Sequence, residues 1–215
     1  MDTRYKIVAA VFGVISSISI GLSLLHQQPQ HRGLIPTFAS AKIPPLIMED
    51  GDPYIRALMR MISASESNDR RPYSVLYGGS HVTDLSRHPE KCIRIVNGPN
   101  INNCSTAAGR YQMINTTWAM MAKKYHPNPD GFFWDRGYSF HAEYQDAVVH
   151  AWLRDEKFWG MNVSQSLKNG DLEKVRRRLS GTWTSLGYGI ENNAMTPELP
   201  KIYERLIREE LARKK

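Results

Sequence analysis

The chain has 215 residues, enough for one ordinary domain with an appendage. A hydrophobic fraction of 41%, with ten tyrosines and five tryptophans, excludes a disordered polypeptide. The net charge of +7 suits anionic surroundings, whether nucleic acid, membrane or bacterial cell wall, without choosing among them. No zinc-ligand spacing, Walker loop or dinucleotide fingerprint occurs, so no metal and no cofactor is expected.

Residues 1–6 carry Arg4 and Lys6, and residues 7–25, "IVAAVFGVISSISIGLSLL", hold no charge. That run is long enough to span a bilayer, which takes about 20 residues. The basic residues before it place 1–6 in the cytoplasm and everything after 25 outside. The expectation is a single-pass inner-membrane anchor with a periplasmic domain. A cleaved signal peptide is the rival, with Ala39-Ser40-Ala41 as the cleavage site and a domain free in the periplasm. Residues 26–51 hold four prolines and no periodic pattern, and read as a linker.

The folded domain is expected over 52–215. Asp52-Pro53 is an N-cap followed by proline at the first helical position. Ile55, Leu58, Met59 and Ile62 then form an apolar stripe at helical spacing, which loses its pattern at Ala64-Ser65-Glu66-Ser67-Asn68. Residues 72–85 place β-formers on either side of Gly78-Gly79 and predict a hairpin. Cys92 and Cys104 bracket a stretch containing Asn97-Gly98-Pro99, and an exported chain would close them as a disulfide. From Thr117 the pattern is helical, with Trp118, Met121, Ala122 and Tyr125 on one face. Ser139 caps a further predicted helix with Tyr144, Ala147, Val148, Ala151 and Trp152 inward. Another helix runs from Asp171 through Arg176-Arg177-Arg178, and the last starts at Thr196-Pro197 with Leu199, Ile202, Tyr203, Leu206 and Ile207 buried. The class is α+β and mostly helical, with a small β-hairpin lobe and an N-terminal transmembrane helix.

Glu66 is the first candidate for chemistry. It stands where a helix ends, and the negative end of the macrodipole disfavours a carboxylate there. Apolar neighbours push the same way by desolvation, towards the raised pKa that a general acid needs, while Arg70 and Arg71 would oppose it. Downstream, Gly109-Arg110-Tyr111-Gln112 and Gly187-Tyr188-Gly189 follow in order. With "MISASES", "GGSHVTDLSRHPEK", "STAAGRYQ", "QDAV" and "WTSLGYG", these strings resemble the phage lambda lysozyme-like lytic transglycosylases of the lysozyme-like superfamily, over most of residues 54–210. The anchor, the linker and the cysteine-flanked insert have no counterpart in that resemblance.

The resemblance implies a lysozyme-like fold and cleavage of the N-acetylmuramic acid β-1,4 N-acetylglucosamine bond of peptidoglycan. Glu66 matches the catalytic acid, which would act twice and leave 1,6-anhydromuramic ends. It places Ser67, Tyr111, Gln112 and Tyr188 on the substrate, with Tyr111 and Tyr188 equally well read as packing residues. Asp84, His88, Gly109 and Arg110 would support the cleft. Gly109 lets backbone approach closely, Arg110 clamps lobes and His88 braces a turn. A water-using muramidase, with Asp84 or less readily Asp69 as second carboxyl, is the enzymatic alternative. A wall-binding module without catalysis is the other. The expected partners are glycan strands and, through 7–25, the inner membrane, for a monomer serving a phage lysis system or an envelope secretion machine; no nucleic-acid partner is expected.

Overall fold

The computed structural model describes residues 42–96, 100–128, 137–188 and 193–213. The expected anchor at 7–25 and residues 26–41 of the expected linker lie outside them. No helix among the described residues is long and apolar enough to cross a membrane.

Helix α1 runs Pro53–Glu66, with the Asp52 carboxylate accepting from the Tyr54 amide and Pro53 at its first position. Its apolar stripe predicted one buried face, yet every residue except Tyr54 and Glu66 is buried. The reason is that α1 is enclosed on several sides. Helix α7 (Leu199–Arg213) packs along it, α3 (Ala142–Leu153) and α5 (Val163–Lys168) cover other faces, and the segment 42–50 crosses it. The arginines on the enclosed faces are therefore paired. Arg56 Nε and Arg60 Nη1 hold the two oxygens of Glu210, itself buried, at 2.7 and 2.8 Å. Removing the acceptor would leave two buried guanidinium groups short of a partner, which costs far more than an exposed pair is worth.

The last ten residues of the expected linker belong to the domain. Ile43 and Leu46 are buried. Arg60 Nη2 donates to the Ile43 carbonyl at 3.0 Å and Arg56 Nη1 to the Met48 carbonyl at 2.6 Å. This strap is held by side chains reaching backbone atoms, so it carries no sequence period.

Helices α2 (Asn115–Tyr125) and α6 (Leu172–Leu179) fall where their patterns place them. Two short helices escaped the pattern, α4 (Glu156–Trp159) and α5, each capped by a side chain, Asp155 on the Phe158 amide and Asn162 on the Gln165 amide. Ser139 does not cap α3, which starts after His141. Its hydroxyl instead meets His141 Nδ1 at 2.8 Å. The buried face of α3 is also turned from the expected one and includes Gln145, Asp146, Val149 and His150. Before Leu199, residues Thr196–Glu198 form a 3-10 turn.

The β content is small. Strands β1 (Ile93–Arg94) and β2 (Cys104–Ser105) pair antiparallel, with Ile93 opposite Ser105, and the Cys92–Cys104 disulfide closes their base. The hairpin expected at 72–85 reduces to a single bridge between Val75 and His81, around Gly78 and Gly79 at φ +81° and +88°. Leu76 also bridges Ala108, which faces Met113 across the Gly109–Gln112 turn.

Candidate active site

Glu66 is the last residue of α1 and half-buried. The 3-10 turn Thr184–Leu186 lies against that helix end and brings the Ser185 hydroxyl onto Glu66, donating to Oε1. Ser185 Oγ is also 2.9 Å from Ser65 Oγ, and both serines are buried. Two residues earlier, Trp183 Nε1 donates to the Tyr111 carbonyl at 3.1 Å. The three strings singled out in the sequence, around 66, 111 and 188, thus converge through Ser185 and Trp183. Neither residue had been given a role. The only trace of them was their place in "WTSLGYG".

Ser67, expected on substrate, is half-buried and bonds back onto its own helix. Its hydroxyl donates to the Ser63 carbonyl at 3.0 Å and its amide to the same oxygen at 3.0 Å, as α1's C-cap. Tyr111, expected either beside the sugar or in the packing, takes the second place. It is fully buried, and its hydroxyl donates to Asp146 Oδ1 at 2.6 Å. A buried carboxylate needs donors, and this one collects four. Tyr73 donates to Oδ2 at 2.7 Å, as do the amides of Ile47 at 2.9 Å and Met48 at 3.2 Å. Burial pushes the Asp146 carboxyl up, while the two phenols, the Arg110 charge and the strap amide pull against that. The signal available in the sequence was an acid amid the apolar positions of α3.

Gln112 is 5% exposed, with φ +45°, and its amide nitrogen donates to the carbonyls of Gly109 at 2.9 Å and Val75 at 3.2 Å. Its donor serves the turn rather than a sugar. Gly109, at φ +73°, does meet a close approach, though not to a ligand. A Cβ there would lie 2.3 Å from Gln145 Oε1 and 2.7 Å from Phe140 Cζ. Arg110 clamps the N-terminal strap. Its Nη1 and Nη2 donate to the carbonyls of Pro45 and Pro44 at 2.8 and 2.6 Å, and its guanidinium sits over the Tyr73 ring.

Tyr188 is the one aromatic of the set presented to solvent, 45% exposed, with the Arg177 guanidinium 4.2 Å from its ring centroid. Gly189 lies outside the described residues. In the basic triplet, Arg176 is buried on the Leu186 carbonyl at 2.8 Å and Arg178 donates to the Trp159 carbonyl. Arg177 is exposed over the Tyr188 ring and lies 3.7 Å from Glu173, while the buried Arg176 guanidinium is 5.8 Å from the same ring centroid.

His88 is buried edge-on to Phe140, with Nε2 on the Met113 carbonyl at 2.9 Å and Nδ1 accepting from the Glu90 amide at 3.1 Å. Burial pulls its pKa down, so the neutral ring braces the turn. Asp84 is exposed and accepts from the Ser86 amide at 2.9 Å. The Ser86 hydroxyl and amide hold its carboxyl below the usual range. It lines a cavity of about 360 Å³ with His81, Thr83, Arg87 and Lys91, which does not include Glu66. Asp69 accepts from the Arg71 amide at 2.6 Å and lies 3.3 Å from His81 Nε2. Neither acid is hydrogen-bonded to the Glu66 and Ser185 pair.

The chain is similar to an endolysin of Escherichia phage lambda, 28% identical over 144 residues, covering 62% of this chain and 79% of that protein. Among solved structures, a bacteriophage lambda lysozyme in complex with a chitohexasaccharide aligns with a TM-score of 0.55 and 27% identity, over 74% of this chain and 97% of the other. A second structure of lysozyme from bacteriophage lambda gives 0.51 and 25%, over 77% and 97%. The mostly helical fold with its small sheet is thus that of lambda lysozyme. The endolysin family model matches residues 56–206, and the chain belongs to the endolysin family.

Proposed function

We propose that this chain cleaves the glycan strands of peptidoglycan as a lytic transglycosylase, with Glu66 as the single acid and base. The observation that carries this reading is Glu66 itself, a half-buried carboxyl at a helix end, hydrogen-bonded by Ser185. Asp69 and Asp84 hold backbone amides of their own turns, which favours one-carboxyl chemistry over a pair of carboxyls set to use water. Membership of the endolysin family and likeness to a lysozyme solved with a chitohexasaccharide support a β-1,4-linked amino-sugar substrate.

In this reading Glu66 first protonates the bridging oxygen as the bond to C1 of the muramic sugar breaks, and the N-acetylglucosamine leaves with a free C4 hydroxyl. The resulting carboxylate then takes the proton of the C6 hydroxyl of the muramic sugar as that oxygen bonds to C1. Glu66 ends protonated, a 1,6-anhydro ring is formed and no water is consumed. The exposed ring of Tyr188 offers a flat face to a sugar. Residues 7–25 would anchor the domain in the inner membrane with the site in the periplasm, as a monomer acting in lysis or local wall opening. Lys42 and Pro44 line a cavity of about 310 Å³ with Ser63, Asn68 and Arg70, so the N-terminal chain joins the domain beside the Glu66 end of α1. Mass spectrometry of fragments from purified sacculi tests the reaction type. Anhydro ends, one water lighter than reducing ends, are expected; reducing ends alone would make the enzyme a muramidase.

A further inference from the structure

A carboxyl that serves first as acid and then as base needs a neighbour that suits both of its protonation states. A fixed cation beside it would hold it ionised, and a backbone carbonyl would hold it protonated. A hydroxyl does neither, because it has one proton and two lone pairs and can turn from donor to acceptor. Ser185 supplies such a hydroxyl to Glu66 Oε1. Behind it, Ser65 Oγ lies 2.9 Å from Ser185 Oγ and 3.0 Å from the Ile62 carbonyl, so the two serines form a short chain that ends on a backbone acceptor.

The Ser185 proton can turn between Glu66 and Ser65, and every donor is satisfied in both protonation states of Glu66. With Glu66 ionised, Ser185 donates to the carboxylate while Ser65 keeps its proton on the Ile62 carbonyl. With a proton on Oε1, Glu66 donates to Ser185, Ser185 to Ser65 and Ser65 to the Ile62 carbonyl. Hydrogen bonds from neighbouring side chains hold the backbone around the pair. Thr196 Oγ1 donates to the Ser185 carbonyl at 2.9 Å, Asn193 Nδ2 to the Ser65 carbonyl at 3.1 Å, and Arg176 Nη2 to the Leu186 carbonyl at 2.8 Å. Ser185 and Ser65 are only 3% and 8% exposed, so bulk water does not do this work for them.

We infer that Ser185, backed by Ser65, is a positioning residue that holds the Glu66 carboxyl in one place through both halves of the reaction. The inference rests on Glu66 being the acid, and its test separates the two. Initial rates on purified sacculi, over a range of substrate concentrations, would be compared for the full chain and for Ser185→Ala, Ser185→Thr, Ser65→Ala and Glu66→Gln. Ser185→Ala is expected to lower kcat about tenfold, the worth of one hydrogen bond to a charged group, with apparent KM unchanged. Ser185→Thr, which keeps the hydroxyl, restores at least a third of the rate. Ser65→Ala, one step further back, loses severalfold, and this variant carries the test if Ser185→Ala does not fold. A wild-type kcat in folded Ser185→Ala, a loss confined to KM, or a folded Ser185→Thr as slow as the alanine variant would overturn the inference while leaving Glu66 untouched. Full activity of Glu66→Gln would instead remove the functional reading beneath it.

Discussion

Replacing Gly109 by alanine probes the packing that joins the turn at 109–112 to α3. At φ +73° a side chain incurs left-handed strain of about 1–2 kcal/mol. The new methyl group would also stand 2.3 Å from Gln145 Oε1, far inside contact distance, so Gln145 must move. That amide holds three bonds, accepting from the Arg110 amide at 2.9 Å and donating to the carbonyls of Tyr73 at 2.9 Å and Phe140 at 2.8 Å. Losing one or two of them costs about 1–2 kcal/mol, and the crowding against Phe140 adds about 1 kcal/mol. The sum is about 3–5 kcal/mol, a large share of the roughly 5–15 kcal/mol that stabilises a domain. Gly79→Ala is the internal control, since its φ is +88° but nothing lies within 4 Å of the added carbon, leaving strain alone. Urea unfolding followed by tryptophan fluorescence gives both values from midpoint and slope. If Gly109→Ala costs no more than Gly79→Ala, the close approach of Gln145 is not what demands glycine there.

Two further outcomes concern stability. Burial pushes the His150 imidazole down to about 4, helped by Arg154 and Arg56 and opposed by Asp52. The unfolded chain takes up this proton near pH 6.5, so between about 6.5 and 4 the unfolded state binds more of it and stability falls with pH, by about 2–3 kcal/mol in all. His150→Gln should flatten that part of the stability curve by at least about 1 kcal/mol in urea titrations at pH 7 and pH 4; an unchanged slope would show that other groups set it. Opening the disulfide with Cys92→Ser and Cys104→Ser together releases a loop of sequence separation 12, about 3 kcal/mol in the chain-entropy model. A fall in thermal midpoint of roughly 6–12 °C is expected, and equal midpoints for variant and parent would contradict it.

The sequence was most readable where a short-range rule governs the structure. The cap at Asp52-Pro53, the apolar stripe of α7 and the spacing of Cys92 from Cys104 each specify a local outcome, and each is present. It was least readable where one long-range partner decides. The strap from 42 to 50 looks like linker because its proline-containing backbone has no period, and it is fixed by Arg56, Arg60, Arg110 and Asp146 from elsewhere in the chain. Helices α4 and α5 are too short to show a face. Tyr111 could be read as a sugar platform or as packing because nothing in "GRYQ" reveals that Asp146, on another helix, needs its hydroxyl. The same blindness hid Ser185. A serine in a 3-10 turn carries no pattern, and its meaning comes only from meeting Glu66 across the fold.

The most direct measurement is the rate at which Glu66→Gln clears purified sacculi, compared with the parent chain and with both proteins shown to be folded by their thermal midpoints. Glutamine keeps the shape of the side chain but can neither give up nor accept the proton. A loss on the order of 10²–10⁴-fold or greater in rate at an unchanged midpoint is expected. A folded Glu66→Gln variant that releases glycan fragments as fast as the parent would contradict it.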